Sequence, residues 1–153
     1  MNPSDEFTLL SEADVEVLGP LDDAISPEVL AHARNPRNLG PLARPDGEAA
    51  TTGICEDTVA IQVRLDGEVI EAAHFLTNGC GFTVACGSMV TELARGRSLN
   101  YALQIDGERI ARALGGLPRE HTHCADLAAN AFRAAVKEAL AHRHEPWKRA
   151  YRS

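Results

Sequence analysis

Three cysteines stand in settings where a thiol is available for chemistry. Cys80 lies between Gly79 and Gly81, after a strand-like run and before a helix-like one. Glycine on either side lets the backbone turn sharply and leaves the thiol uncrowded. The start of a helix carries positive partial charge, which favours the thiolate, the form that binds metal or carries sulfur. Cys55 and Cys124 stand in comparable loop or helix-start settings.

These thiols could form one site. Cys55 falls in a loop between two predicted strands, Cys80 where the next strand gives way to a helix, and Cys124 in the first turn of the last helix. Asp57 follows Cys55 by two residues, and His123 adjoins Cys124. Thiolate and imidazole suit tetrahedral zinc or iron, and thiolates hold iron–sulfur clusters. A carboxylate is a weaker and more exchangeable ligand, which suits a site that must give its cluster away.

Other interpretations of the same residues stay open. Cys86 lies on an apolar helical stripe, so we expect it to be a buried core residue rather than a ligand. Asp57 also fits a turn residue, and His121 and His123 also fit surface histidines. The remaining histidines are interpreted as structural or solvent-exposed: His32, His74, His142 and His144. The cysteines lack the paired CxxC spacing of a zinc ribbon, and no acid–base pair, phosphate loop or nucleophile–His–Asp set indicates a hydrolase or kinase.

Composition narrows the class of protein. The chain has 153 residues, enough for one domain with its own core, and a net charge of −7, which argues against a nucleic-acid or anionic-membrane surface. No apolar run is long enough to span a bilayer, and the acidic N-terminal region is unlike a targeting peptide. We therefore expect a cytoplasmic protein whose thiols stay reduced. The expected division is an acidic N-terminal extension over 1–25, one domain over 26–142 and a basic tail over 143–153.

Hydrophobic periodicity predicts an α+β fold, a small three-stranded antiparallel sheet packed against helices. Ser26-Pro27 begins a helix that ends near Arg34, and Asp66-Gly67 is a hairpin signal between two strands. Ser98 and Asp106 are predicted to cap two short helices. The other predicted elements are strands over 48–52, 58–65 and 69–77, a helix over 82–94 with one apolar stripe, and a last helix over about 123–141.

The region from about Ser26 to Leu140 resembles the IscU/NifU N-terminal family of iron–sulfur cluster assembly scaffolds. The matching segments occur in the family's order and with nearly its spacing: Asn35-Pro36-Arg37-Asn38-Leu39-Gly40, Gly53-Ile54-Cys55-Glu56-Asp57, Gly79-Cys80-Gly81 leading to Ala85 and Ser88, Leu117-Pro118, and His123-Cys124. The match covers about three quarters of the chain, and the combination of motifs is specific.

The resemblance implies a scaffold or carrier rather than an enzyme, although one capable of sulfurtransferase-like sulfur acceptance. It implies transient assembly of a [2Fe–2S] cluster from Fe²⁺ and sulfur supplied by a cysteine desulfurase, with an electron donor such as ferredoxin and with transfer to acceptor apoproteins. The implied metal site is Cys55, Asp57, Cys80, His123 and Cys124, which Zn²⁺ could also occupy. The cluster would be held by the three cysteines with His123, and Cys124 would accept the sulfur. We expect a monomer or a weak homo-oligomer.

The chain departs from the family's pattern at several positions. Glu56 stands where the family usually has glycine, and Cys86 stands where it usually has serine. The segment over 117–121 differs from the family's chaperone-binding motif, which argues against recognition by the dedicated heat-shock chaperone. It also places His121 where the family has lysine, as a further candidate ligand. The alternative is a SufU-like zinc-binding sulfur acceptor that works with a desulfurase, but the SufU insertion between the second and last site cysteines is absent here.

Overall fold

The computed structural model describes residues 25–54 and 56–144. Cys55, the acidic segment over 1–24 and the end of the basic tail over 145–153 lie outside this part of the chain, so the predictions for them stay predictions. The α-helices and strands are α1 (Pro27–Arg34), β1 (Gly47–Thr52), β2 (Thr58–Asp66), β3 (Val69–Thr77), α2 (Gly81–Ala94), α3 (Leu99–Ala102), α4 (Gly107–Ala113) and α5 (Thr122–His144), with a 3₁₀ helix (Arg119–His121) before α5. The predicted α+β class is confirmed.

The three strands form an antiparallel sheet in the order β1-β2-β3. Alternation along β2 buries Val59, Ile61 and Val63 completely, as the sequence pattern predicts. An irregularity between Arg64 and Leu65 interrupts that alternation, so Leu65 is only partly buried. The hairpin turn is one residue later than Asp66-Gly67, because Asp66 still pairs with Val69 and the two turn residues are 67 and 68.

The helix α2 is the centre of the fold. It contacts α1, α4 and α5 as well as β3. The sequence predicts a single apolar stripe on this helix, but burial extends around nearly its whole circumference, including polar residues such as Thr83 and Ser88. The apolar stripe is largely buried, as predicted, and neighbouring helices cover the other sides of α2 as well. The helix α5 covers β1 and β2, which closes one face of the sheet.

The segment that follows α1 is held against α2 by polar contacts. Ser88 Oγ lies 2.7 Å from His32 Nδ1 and accepts a hydrogen bond of 2.9 Å from the backbone N–H of Arg37. Asn38 Nδ2 donates to Thr91 Oγ1 at 3.1 Å. Burial is the main cause that lowers the pKa of His32. The Asn-Pro-Arg-Asn motif thus docks a loop on the central helix, and His32 is structural, as predicted.

Two element boundaries differ from the sequence prediction. Residues 119–121, for which no element is predicted, form the 3₁₀ helix. The helix α5 begins at Thr122 and continues through His144 rather than ending near Ala141. His142 is buried on this added turn and lies 3.0 Å from the backbone oxygen of Asp46 through its Nδ1. This contact between His142 and the start of β1 explains why the helix continues beyond its last apolar residue. None of the described helices is long and apolar enough to cross a membrane.

The sheet register brings the loops that matter to one end. Thr52 pairs with Thr58, and Val59 pairs with Thr77, so the β1–β2 loop and the β3–α2 junction leave the sheet side by side. The Thr58 backbone N–H donates to Asn78 Oδ1 at 2.8 Å, which ties the two connections together. Because α2 and α5 pack against each other, the start of α5 is carried to the same rim.

Candidate metal centre

Cys80 is the N-cap residue of α2. Its backbone is extended, with φ −73° and ψ 179°, and its carbonyl accepts the first helical hydrogen bond, from Val84, at 3.0 Å. Gly79 precedes it because the chain passes close to the helix there, and a Cβ at Gly79 would lie 2.7 Å from Thr83 Cβ. The thiol of Cys80 is consequently exposed at the positive end of the central helix.

Cys124 and two histidines come from the start of α5 and the 3₁₀ helix before it. The Cys80 Sγ, the Cys124 Sγ and a ring nitrogen of His121 all lie within 4.8 Å of one another. Among the residues that the structure describes, this is the group with metal-ligand geometry. His123 Nε2 lies 3.7 Å from Cys124 Sγ, so the second histidine stands at the edge of the same cluster.

His121 is held in place by an aromatic contact. Its ring stacks on that of Phe82, with centroids 3.9 Å apart and planes inclined by 14°. Phe82 is 2% exposed and lies two residues after Cys80. The sequence raised His121 only as a further candidate, because the motif comparison put His123 in the ligand position.

Thr83 connects the parts of the site. Its Oγ1 lies 3.2 Å from Asp57 Oδ2, 3.3 Å from Cys124 Sγ and 3.8 Å from Cys80 Sγ. A hydroxyl has one proton to donate, so these acceptors share it. Sequence reasoning missed Thr83, although its position three residues after Cys80, in the first turn of the same helix, was a usable signal.

Asp57 reaches the site through the loop that follows β1. Backbone hydrogen bonds close this loop, from Gly53 N to Asp57 O at 2.9 Å and from Glu56 N to Gly53 O at 3.0 Å. Glu56 has φ 68°, in the left-handed region that favours glycine. Glycine would adopt this turn without strain, whereas Glu56 adopts it at a conformational cost. Cys55, between these residues, lies outside the described part of the chain.

The two thiols of the cluster differ in acidity. Interaction with the Cys124 thiol, acting as a hydrogen-bond donor, is the largest cause that lowers the pKa of Cys80 to about 5, with the Thr83 and Phe82 backbone N–H groups contributing against the opposing effect of burial. The same interaction and burial raise the pKa of Cys124. Both cysteines lie at helix starts, but Cys80 takes the negative charge of the pair.

Cys86 has no part in the cluster. Its side chain is fully buried on α2, as the sequence predicts, and burial raises the pKa of its thiol. The structure therefore brings together Cys80, Cys124, His121 and, through Thr83, Asp57, with His123 beside them.

Comparison with known proteins shows the family of the chain. The profile of the NifU-like N terminal domain family matches residues 24–145. The "Iron-sulfur cluster assembly scaffold protein IscU 1" of Archaeoglobus fulgidus is 41% identical over 113 residues, covering 72% of this chain and 73% of that protein. The IscU scaffold protein of Haemophilus influenzae is 38% identical over 120 residues, covering 75% of this chain and 94% of that protein.

A solved structure shares the fold. The N-terminal region of a NifU-like protein from Brucella abortus superposes with a TM-score of 0.62 at 19% identity, covering 79% of this chain and 97% of that one. Family profile, sequence relatives and fold agree. The chain belongs to the NifU-like N terminal domain family.

Proposed function

We propose that this chain is a scaffold on which a [2Fe–2S] cluster is built and from which it is transferred to acceptor apoproteins. The observation that carries this proposal is the convergence of two thiols and an imidazole within 4.8 Å, with a carboxylate linked to them through Thr83, at one rim of the sheet. Thiolates, imidazole and one exchangeable carboxylate suit iron, and the relatives named above are scaffold proteins for such clusters.

The iron and the sulfide are substrates of the reaction. Fe²⁺ would enter through Cys80, Cys124 and the neighbouring histidines, with Asp57 and Cys55 as the remaining ligands. A cysteine desulfurase would pass the outer sulfur of its persulfide to a scaffold thiolate, which forms one S–S bond as another breaks. Two electrons from a donor such as ferredoxin would then reduce that sulfur to sulfide. Two irons and two sulfides complete the cluster.

We propose Cys124 as the sulfur acceptor of the metal-bound protein. In the metal-free chain Cys80 is the thiolate of the pair, whereas bound metal deprotonates every thiol that it ligates. We therefore expect persulfide on Cys80 without metal and on Cys124 once Fe²⁺ is bound. Mass spectrometry of the desulfurase-treated chain, with and without Fe²⁺, identifies the modified cysteine in each case. Persulfide on Cys80 in both states would contradict the assignment of Cys124.

Asp57 is the proposed release ligand. Its carboxylate is the hardest donor of the set and the least suited to a soft cluster, so it should exchange first. We expect Asp57→Ala to hold its cluster longer than the parent when mixed with an apo-ferredoxin acceptor. Decay of the visible absorbance measures that lifetime, and Glu48→Ala, on the same sheet but away from the rim, is the control. Faster cluster loss in Asp57→Ala would show that the role is wrong.

Anaerobic reconstitution tests the function as a whole. Metal-free protein is incubated with Fe²⁺, a cysteine desulfurase, cysteine and a reductant, and iron and acid-labile sulfide are then determined. A scaffold should bind them in equal amounts, with thiolate-to-iron charge-transfer bands that disappear in Cys55→Ser, Cys80→Ser and Cys124→Ser. Stimulated desulfurase turnover with retained zinc and no sulfide would instead identify a SufU-like sulfur acceptor.

A further inference from the structure

We propose that His121 is a metal ligand of this site, completing a Cys₂His set with Cys80 and Cys124. The inference deepens the proposed function by naming a ligand, but it concerns metal binding and holds whether or not a cluster is built. Family resemblance assigns the histidine ligand to position 123. The structure instead brings a ring nitrogen of His121 within 4.8 Å of both sulfurs.

The separations fit a tetrahedral ion after a small closure. Zinc binds sulfur at about 2.3 Å and nitrogen at about 2.0–2.1 Å, which places neighbouring ligand atoms roughly 3.5–3.8 Å apart. The three atoms lie within 4.8 Å of one another, so side-chain rotations that move each atom by about 1 Å would let all three bind one ion. Cys80 is exposed and can make that movement without disturbing the core.

The position of His121 is determined by the elements that carry the two cysteines. Phe82, the second residue of α2, supports the ring by stacking at 3.9 Å, and Cys80 caps that same helix. His121 ends the 3₁₀ helix that runs directly into α5, three residues before Cys124. A ring already held between these two helix starts loses little freedom when it binds a metal.

His123 is the competing ligand. Its Nε2 lies 3.7 Å from Cys124 Sγ, and its ring centroid lies 6.4 Å from that of His121. Among the described residues, however, the group whose ligand atoms are mutually close contains Cys80, Cys124 and His121 and does not contain His123. His123 therefore contacts one sulfur, whereas His121 is within reach of an ion that both sulfurs hold.

A Cys₂His set has a chemical consequence. Among the described residues this set supplies three ligands, so a fourth tetrahedral position is available to Cys55, to Asp57 or to an incoming sulfide. Asp57 accepts a hydrogen bond from Thr83, whose Oγ1 lies 3.3 Å from Cys124 Sγ. His121 would thereby keep the metal in place while the fourth ligand changes.

Cobalt binding tests the proposal without any cluster. Metal-free wild type, His121→Phe, His121→Ala and His123→Ala are titrated with Co²⁺, which reports thiolate and imidazole ligands through its charge-transfer and d–d absorbance. His121→Phe is the sharpest variant, because a phenyl ring can still stack on Phe82 but has no nitrogen. His74→Ala, on the sheet, is the control. X-ray absorption of the Zn²⁺ forms counts nitrogen ligands directly.

We expect His121→Phe and His121→Ala to bind Co²⁺ and Zn²⁺ at least about tenfold more weakly and to lose one nitrogen ligand. Wild-type affinity and nitrogen count in His121→Phe, or a loss confined to His123→Ala, would overturn the proposal. The proposed function is tested separately. If the wild type binds Co²⁺ through His121 but incorporates no sulfide, the scaffold role is refuted and the ligand assignment stands. If His121→Phe binds metal as the wild type does and still assembles a cluster, the ligand assignment is refuted and the scaffold role stands.

Discussion

At the residue scale, the Cys80 and Cys124 sulfurs share one environment and differ in acidity because of it. The Cys124 thiol and the amides at the start of α2 stabilise a negative charge on Cys80, and the thiol that donates is in turn harder to ionise. Of the two thiols that the structure describes at the site, Cys80 is therefore the accessible nucleophile in the metal-free protein. That nucleophile lies on the rim, where a partner protein can reach it.

The acidity of Cys80 predicts its alkylation profile. With a pKa of about 5, Cys80 is a thiolate at pH 6, so its reaction with iodoacetamide should be nearly independent of pH between 6 and 8 and fall below about pH 5. An ordinary thiol, with a pKa of about 8.5, would gain rate throughout that range. Peptide mapping of the metal-free chain measures the rate at each cysteine separately.

Cys124→Ala is the matched variant for this profile. It removes the largest cause of the lowered pKa, so the midpoint for Cys80 should move upward towards that of an ordinary thiol. Cys86, fully buried, should stay unmodified in the folded protein. A wild-type midpoint for Cys80 near 8.5 would contradict the account of the pair.

Thr83 predicts a stability effect that is independent of metal. Thr83→Val keeps the shape of the side chain but removes the hydroxyl that donates to Asp57 Oδ2, leaving that half-buried carboxylate without this donor. A hydrogen bond to a charged group contributes about 1.5–3 kcal/mol, so we expect a loss of about 1–2 kcal/mol in the free energy of unfolding. Thr83→Ser should lose much less. Denaturant unfolding measures both, and a double-mutant cycle with Asp57→Asn should show coupling. Full additivity would show that the contact has no energetic weight.

At the scale of elements, the loop between β1 and β2 carries a local conflict. Its backbone turns through a left-handed residue, and the side chain there is an exposed glutamate, Glu56. Left-handed backbone costs a non-glycine residue about 1–2 kcal/mol. Glycine removes this strain, but its greater freedom in the unfolded chain offsets part of the gain in stability. The loop that presents Cys55 and Asp57 is therefore strained in this protein.

We accordingly expect Glu56→Gly to stabilise the metal-free protein by about 0.5–1 kcal/mol. Glu56→Ala removes the charge but keeps the Cβ, so it separates backbone strain from electrostatics and should leave stability unchanged. Thermal unfolding of the three proteins at one pH measures the difference. Equal stabilisation by glycine and alanine would assign the effect to the charge.

At the scale of the whole molecule, the site lies beside a large apolar core. Apolar side chains from the sheet, α2, α4 and α5 form one buried cluster, which includes Phe75, Ile110 and Phe132 at 1% exposure or less. Of the site residues that the structure describes, Cys124 belongs to this cluster. Because a core of this size can stabilise the fold, we expect the fold to position the metal rather than to need it.

Removal of metal tests that conclusion. We expect the chelated protein to keep its far-ultraviolet circular dichroism and a cooperative unfolding transition. Zn²⁺ at a free concentration a hundredfold above its Kd should then add about 2.7 kcal/mol through preferential binding to the folded state. Scanning calorimetry with chelator and with Zn²⁺ measures both. Loss of secondary structure on chelation would identify a structural zinc domain, in which the metal holds the fold.

Local sequence patterns predict the secondary-structure elements, and the motifs together predict the family. Some features follow from neighbouring residues alone, because they depend on local backbone preferences. They are the helix caps at Ser26, Ser98 and Asp106, the alternation along β2 and the cysteine flanked by glycines. Motif order pointed to the scaffold family, and family profile and relatives confirm it. Cys80 and Cys124 in the cluster, and Cys86 in the core, also follow from chain position, since helix starts and apolar stripes are local patterns.

The arrangement of the site depends on contacts between residues that are distant in the sequence. Periodicity along one helix cannot reveal that neighbours cover α2 on nearly every side, because those neighbours are distant in sequence. Thr83 can link the site because the β1–β2 loop lies beside α2. The pKa difference between Cys80 and Cys124 arises because the 43 residues between them fold back to one rim of the sheet. A ring nitrogen of His121 lies within 4.8 Å of the Cys80 and Cys124 sulfurs. The 3₁₀ helix before α5 carries this ring, and Phe82 supports it by stacking. Each of these is a non-local contact, and composition and spacing carry no information about its geometry.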